Sequence, residues 1–132
     1  MATKPLKLGQ DVPDFQVENQ DGARVTREAF KSKWVVVYFY PKDNTPGCTV
    51  EAVDFSQFKD EFEQHNTVVY GVSKDSCASH QKFIESKSLT IQLLSDPEIV
   101  MHKAFGVWGM KKNYGKEYEG VFRTTFLIDH QG

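Results

Sequence analysis

The run Trp34-Val35-Val36-Val37-Tyr38-Phe39-Tyr40, followed at once by Pro41, narrows the fold more than any other part of the chain. β-Branched and aromatic residues without a polar break predict a strand buried on both faces, near the centre of a sheet. Pro41 has no N–H to give to a ladder, so the strand ends there. Past a short polar turn, Thr45-Pro46 is a helix start: Thr45 suits the N-cap and Pro46 the first helical position. Cys48 then falls in the first turn of a helix, beside the C-terminal end of a central strand.

That position has chemical consequences. First-turn N–H groups lack intrahelical partners, and the helix dipole is positive there. Both favour a thiolate, so the pKa of Cys48 is expected to fall and its reactivity at neutral pH to rise. A free cysteine is also a common small buried hydrophobe. The strand, the Pro-bounded loop and the capped helix around this one favour the reactive role.

With 132 residues the chain has room for one domain, residues 1–132, and ten Phe within a 39% hydrophobic composition suit a packed core. A net charge of -2 gives no electrostatic reason to expect nucleic acid or an anionic membrane as partner. No apolar run approaches membrane-spanning length, and Met1 to Gly9 has no signal-peptide core, so a cytoplasmic location is expected. Cys48 and Cys77 are too few for a disulfide scaffold and follow no zinc spacing. His65, His80, His102 and His130 are scattered, so surface or capping roles are expected, with no metal and no cofactor.

Elsewhere the chain alternates strands and helices. Phe15–Val17 and Ala23–Val25 flank Gln20-Asp21-Gly22, a hairpin signal. Thr26 caps a short helix holding Glu28, Ala29 and Phe30. The Cys48 helix is expected from Pro46 to Gln64, with Val50, Val53, Phe55, Phe58 and Phe62 as its core stripe. A second buried strand follows over Thr67–Ser73. Asp75 or Ser76 caps a helix through Lys87, Ile91–Leu94 is a strand, and Asp96-Pro97 starts a two- to three-turn helix closed by Gly106. Residues 107–119 are expected to be a loop whose Lys111, Lys112 and Lys116 are simply solvated, and Val121–Asp129 a last strand. The expected class is α/β, a mixed sheet flanked by helices. Cys48, Cys77 and the residues after Leu94 should share the edge where the parallel strands end.

Pro41-x-x-x-Thr45-x-x-Cys48 resembles the active-site signature of the peroxiredoxins. The run from Tyr40 to Ala52 is similar to that of their bacterioferritin-comigratory-protein branch, also called peroxiredoxin Q. Leu8-Gly9-x-x-Val12-Pro13-Asp14-Phe15, Gly71–Ser76 and Arg123–Asp129 resemble further family blocks, so the likeness covers nearly the whole chain. The resemblance implies a thioredoxin-like fold and thiol-dependent reduction of hydrogen peroxide and organic hydroperoxides. It implies that the Cys48 thiolate attacks the O–O bond and becomes a sulfenic acid. It further implies that Thr45 holds the peroxide and Pro41 shields the thiolate. Arg123 would stabilise charge, with N–H groups of Gly47 and Cys48 assisting. Glu51 either orients Arg123 or is an ordinary first-turn acid. Hydroperoxides and thioredoxin, or another thiol, are the implied partners of a monomer or weak homodimer.

Two features depart from the family pattern. Val53 stands where many relatives carry a resolving cysteine. Cys77 is the other candidate, and it resolves the sulfenic acid only if the two Cα atoms come within about 7 Å; otherwise an external thiol does. The family's closing strand and helix are also missing after Gly132: either the sequence is truncated or the sheet edge is covered otherwise. Two other functions compete. A thioredoxin-like disulfide oxidoreductase is weakened by Glu51 standing where Cys-x-x-Cys would need its second thiol. A catalytically silent module on the same fold is weakened by the intact Pro41, Thr45, Cys48 and Arg123 set.

Overall fold

The structure, a computed structural model, describes residues 9–113 and 115–129. Its strands are β1 (Gln16–Asn19), β2 (Arg24–Thr26), β3 (Trp34–Phe39), β4 (Thr67–Ser73), β5 (Gln92–Ser95), β6 (Trp108–Asn113), β7 (Lys116–Val121) and β8 (Thr124–Ile128). Its helices are α1 (Pro46–Gln57), α2 (Lys59–Gln64), α3 (Cys77–Lys87) and α4 (Val100–Ala104), with a 3₁₀ turn over Arg27–Phe30. The main sheet has the order β2-β1-β5-β4-β3-β8. β3, β4 and β5 are parallel, and β1 and β8 run antiparallel to their neighbours.

The expected central strand is where its composition put it. Val35, Val37 and Phe39 turn to one face, packing with Phe15, Phe30, Tyr70, Met101 and Phe105. Val36, Tyr38 and Tyr40 turn to the other, packing with Cys48 and Ala52 of α1 and Phe83 of α3. Burial of a branched or aromatic side chain contributes about 1.5–3 kcal/mol, so a strand covered on both faces is a main source of stability. The crossover from β3 through α1 and α2 to β4 sets the N-terminus of α1 beyond the end of β3. The β1–β2 hairpin and the Ser76 cap, which accepts from Ser79 N–H at 3.1 Å, also follow the sequence pattern.

Several elements differ from expectation. The Pro46–Gln64 helix is broken at Phe58, whose φ and ψ of -97° and 14° leave the helical region. Its stripe is not all core: Val50 is 62% and Phe58 50% exposed. α1 makes its fully buried contact with Cys48 and Ala52, while Val53, Phe55 and Phe62 pack partly buried against the same core. Asp96 does start the next turn by accepting from Val100 N–H, but α4 spans only Val100–Ala104. Residues 107–119 are not a loop. β6 and β7 pair from Trp108 with Val121 to Asn113 with Lys116, and Gly115 takes the positive φ of 79° the tight turn needs. The backbone ladder holds this ribbon; Lys112 and Lys116 are solvated as expected, whereas Lys111 Nζ donates to Val121 O at 3.0 Å. The expected last strand is therefore interrupted: Val121 ends β7, Arg123 stands in the connection, and β8 begins at Thr124. His130 and the residues after it lie outside the described residues.

Candidate active site

The loop Tyr40–Thr45 leaves the end of β3 and delivers the chain to α1. Tyr40 N–H still donates to Val72 O, at 3.0 Å, so the loop starts from a fixed point on the sheet. Asn44 takes a left-handed φ of 62°, which turns Thr45 back over the loop. Thr45 occupies the N-cap, but its side chain does not cap the helix. Its hydroxyl donates instead to Lys42 O at 2.9 Å. With its proton committed there, Thr45 Oγ1 is left with lone pairs to accept from a ligand. Pro46 is the first helical residue, as its fixed φ favours.

Cys48 lies in the first turn of α1 and is 1% exposed. Arg123 reaches it from the β7–β8 connection: Nη2 donates to Cys48 Sγ at 2.8 Å. Arg123 Nη1 donates to Glu51 Oε1 at 3.2 Å, so one guanidinium spans the cysteine and a carboxylate one helical turn later. Half-burial pushes the Glu51 carboxyl above its usual range, and the Arg123 charge opposes that shift only in part. The sheet thus brings Cys48, Glu51 and Arg123 together, with Gly47 close enough that a Cβ there would stand 3.4 Å from Arg123 Nη2. Thr45 and Pro41 are on the same loop, Pro41 exposed at its start.

Cys77 is not part of this group. It opens α3 half-buried, and its thiol donates to Glu18 Oε2 at 3.4 Å. Burial and the Glu18 carboxylate raise its pKa, so it is held as a thiol in this arrangement.

An open cavity of about 460 Å³ adjoins the site. Val50, Phe55, Phe58 and Phe62 give it an apolar lining, completed by Gly47, Glu51, Asp54 and Arg123. The sulfur itself is not on the wall. A ligand there would meet both the Arg123 guanidinium and the aromatic rings.

Sequence reasoning missed the polar structure beneath the loop. His80 and His102 are fully buried rather than superficial. His80 Nδ1 lies 2.7 Å from Asp43 Oδ2, and His102 Nδ1 2.7 Å from Asp96 Oδ2. Removing one partner of such a buried hydrogen-bonded pair leaves the other unsatisfied, at a cost of about 1–3 kcal/mol. The one signal for them was the repeated Asp after a strand end, at Asp43, Asp75 and Asp96; Asp96 lies six positions before His102, while Asp43 and His80 are 37 positions apart. Tyr38, in the same core as Cys48, keeps its hydroxyl buried without a hydrogen-bond partner among the described residues, and burial raises its pKa.

The chain matches the AhpC/TSA family over residues 8–132. Peroxiredoxin Bcp of Bacillus subtilis (strain 168) is 46% identical over 127 residues, 96% of this chain and 81% of the relative. Peroxiredoxin Bcp of Escherichia coli (strain K12) is 42% identical over 128 residues, 97% of this chain and 82% of the relative. Among solved structures, a Xanthomonas campestris bacterioferritin comigratory protein studied for alkyl peroxide reduction superposes with a TM-score of 0.85 at 37% identity, covering 89% of this chain and 75% of that one. The fold is that of the thioredoxin-like peroxiredoxins, with the mixed sheet between helices. The Cys48 loop, the Arg123 contact and these likenesses agree, and the chain belongs to the AhpC/TSA family as a thiol-dependent peroxidase, a peroxiredoxin.

Proposed function

We propose that Cys48 is the peroxidatic nucleophile and that Thr45, Arg123, Glu51, Gly47 and Pro41 serve it. The observation that carries this is the Arg123 guanidinium 2.8 Å from Cys48 Sγ and 3.2 Å from Glu51. The thiolate sulfur attacks the hydroxyl oxygen of the peroxide. An S–O bond forms and the O–O bond breaks; the sulfur is oxidised to sulfenic acid, and the other oxygen leaves as hydroxide or alkoxide and takes a proton from solvent. Thr45 Oγ1, its proton engaged by Lys42 O, accepts the peroxide O–H. Arg123 and the free N–H groups of the first α1 turn stabilise charge on the departing oxygen. Glu51 orients Arg123, and Pro41 limits solvent at the loop.

The apolar wall beside Arg123 supports organic hydroperoxides as substrates alongside hydrogen peroxide. An external thiol, thioredoxin or another, attacks the sulfenic sulfur, releases water and regenerates Cys48 by exchange with a second thiol. The Glu18 contact of Cys77 supports this one-cysteine cycle over resolution by Cys77. The same proposal places one domain in the cytoplasm as a monomer or weak homodimer; the exposed Leu127 on edge strand β8 supports weak self-association.

Intact mass under non-reducing conditions, after stoichiometric hydrogen peroxide, tests the cycle. A gain of about 16 mass units mapped to Cys48 is expected. A loss of about 2 units mapped to a Cys48–Cys77 disulfide would replace the external thiol with Cys77, and oxidation that spares Cys48 would overturn the mechanism.

A further inference from the structure

Beneath the Tyr40–Thr45 loop lies a buried polar cluster that takes no part in peroxide chemistry as described above. Its centre is Asp43, whose side chain is 4% exposed. Asp43 Oδ1 accepts from the Tyr40 hydroxyl at 2.5 Å. Oδ2 accepts from the Ser79 hydroxyl at 2.8 Å and faces His80 Nδ1 at 2.7 Å. His80 Nε2 is 2.9 Å from Leu94 O, an acceptor only. Both ring nitrogens of His80 therefore have a hydrogen-bond partner, one from the loop and one from β5. The Asp43 backbone N–H donates to Asp75 Oδ2 at 2.7 Å, and that oxygen also takes the Ser73 hydroxyl at 2.7 Å. One loop residue is thereby tied to the ends of β3, β4 and β5 and to the first turns of α3.

An ordinary surface loop would need none of this. Asp43 is flanked by Lys42, whose carbonyl receives the Thr45 hydroxyl, and by Asn44, whose left-handed backbone swings Thr45 into place. Fixing Asp43 therefore fixes both groups that decide where Thr45 Oγ1 points. Positions off by an ångström in such a site are costly to rate.

We infer that Asp43, anchored by His80 and Ser79 of α3, is a positioning residue that sets the Thr45 hydroxyl for the incoming peroxide. The inference rests on the role given to Thr45 above. It differs from a role in general stability because it acts on peroxide reactivity and not on the thiolate as such.

Two rates on the same purified, reduced protein separate these cases: oxidation of Cys48 by peroxide, and alkylation of Cys48 by iodoacetamide, which needs no Thr45. Asp43→Ala should slow peroxide oxidation roughly 10- to 100-fold while alkylation stays within about twofold of wild type. Asp43→Asn should restore most of the rate. Its amide oxygen can accept from Tyr40, and its NH₂ can donate to His80 Nδ1 in the neutral tautomer. Thr45→Val combined with Asp43→Ala should be no slower than Thr45→Val alone, since both act on one hydroxyl. Equal loss in both rates, or a double variant slowed by the product of the single effects, would overturn the inference. If Thr45→Val alone leaves peroxide oxidation unchanged, the role of Thr45 fails, whatever Asp43 does. Should Asp43→Ala not fold, Ser79→Ala decides, because it removes one hydroxyl and keeps the His80 pair. A selective loss of the peroxide rate supports positioning, and an unchanged rate refutes it.

Discussion

Arg123 Nη2 and Cys48 Sγ stand 2.8 Å apart although 75 positions separate the two residues in sequence. The contact is made by sheet register. β8 pairs antiparallel with β3, with Thr124 opposite Phe39, so the residue just before β8 arrives where the loop after β3 begins. Guanidinium donors cannot be neutralised at working pH, which makes the contact a permanent positive charge at the sulfur.

Arg123→Ala should lower the second-order rate of Cys48 oxidation by about 10²–10³, the usual loss when a donor to a developing oxyanion is removed. Stopped-flow kinetics with hydrogen peroxide reads this directly. A rate within a few-fold of wild type would take Arg123 out of the site.

Glu51 predicts a stability effect with a definite sign. Its folded-state pKa is raised, chiefly by burial, so its contribution to stability is present below the ordinary carboxylate range and is lost as pH rises through the folded value. Glu51→Gln stays neutral throughout. The variant should therefore gain thermal stability relative to wild type as pH increases from about 4 to 7, while its peroxide rate falls because Arg123 loses its carboxylate. Melting curves across that range check the sign; a gain that grows toward acid would contradict it.

Phe58 is half-exposed on the cavity wall beside Arg123. Phe58→Ser should cost a bulky organic hydroperoxide such as cumene hydroperoxide about 1 kcal/mol of apolar contact, roughly a fivefold drop in kcat/KM. Hydrogen peroxide, which has no tail to place there, should be unaffected. Equal losses for both substrates would mean that the wall does not bind substrate.

Gly71 sits in β4 where a Cβ would come 2.8 Å from the Tyr38 ring and 2.9 Å from Leu93 Cδ2. Tyr38 is stacked on Phe55 at 4.7 Å and has little room to yield. Gly71→Ala should destabilise the fold by about 1–3 kcal/mol, an overpacking effect seen as a lower denaturant midpoint. No change in midpoint would show that the Tyr38 layer is more loosely packed than it looks.

The strand, loop and helix around Cys48 were legible in the chain itself, down to the proline at the first helical position and the cysteine in the first turn. Strand burial, capping and turn chemistry depend on neighbours in sequence, and residues 34–48 carry all of those signals. The same local rules failed at Phe58 and over residues 107–119. The helix could continue through Phe58 or break there, and the polar stretch 107–119 could be loop or ribbon. Cross-strand pairing with β7 settled the second case, and it is not a local property.

The resemblance of the motifs named Arg123 as well, but its placement against Cys48 follows from β8 lying beside β3. The histidines show the same division. His80 meets Asp43 from 37 positions away, a pairing no local pattern announces, whereas His102 pairs with Asp96 only six positions upstream. The sequence by itself determined a cysteine in the first turn of a helix behind a buried strand. Which charges surround it, what anchors the loop before it and which aromatic rings face solvent were decided only when sheet order and register brought distant segments together, because those pairings are set by the packing of the whole core and not by any one segment.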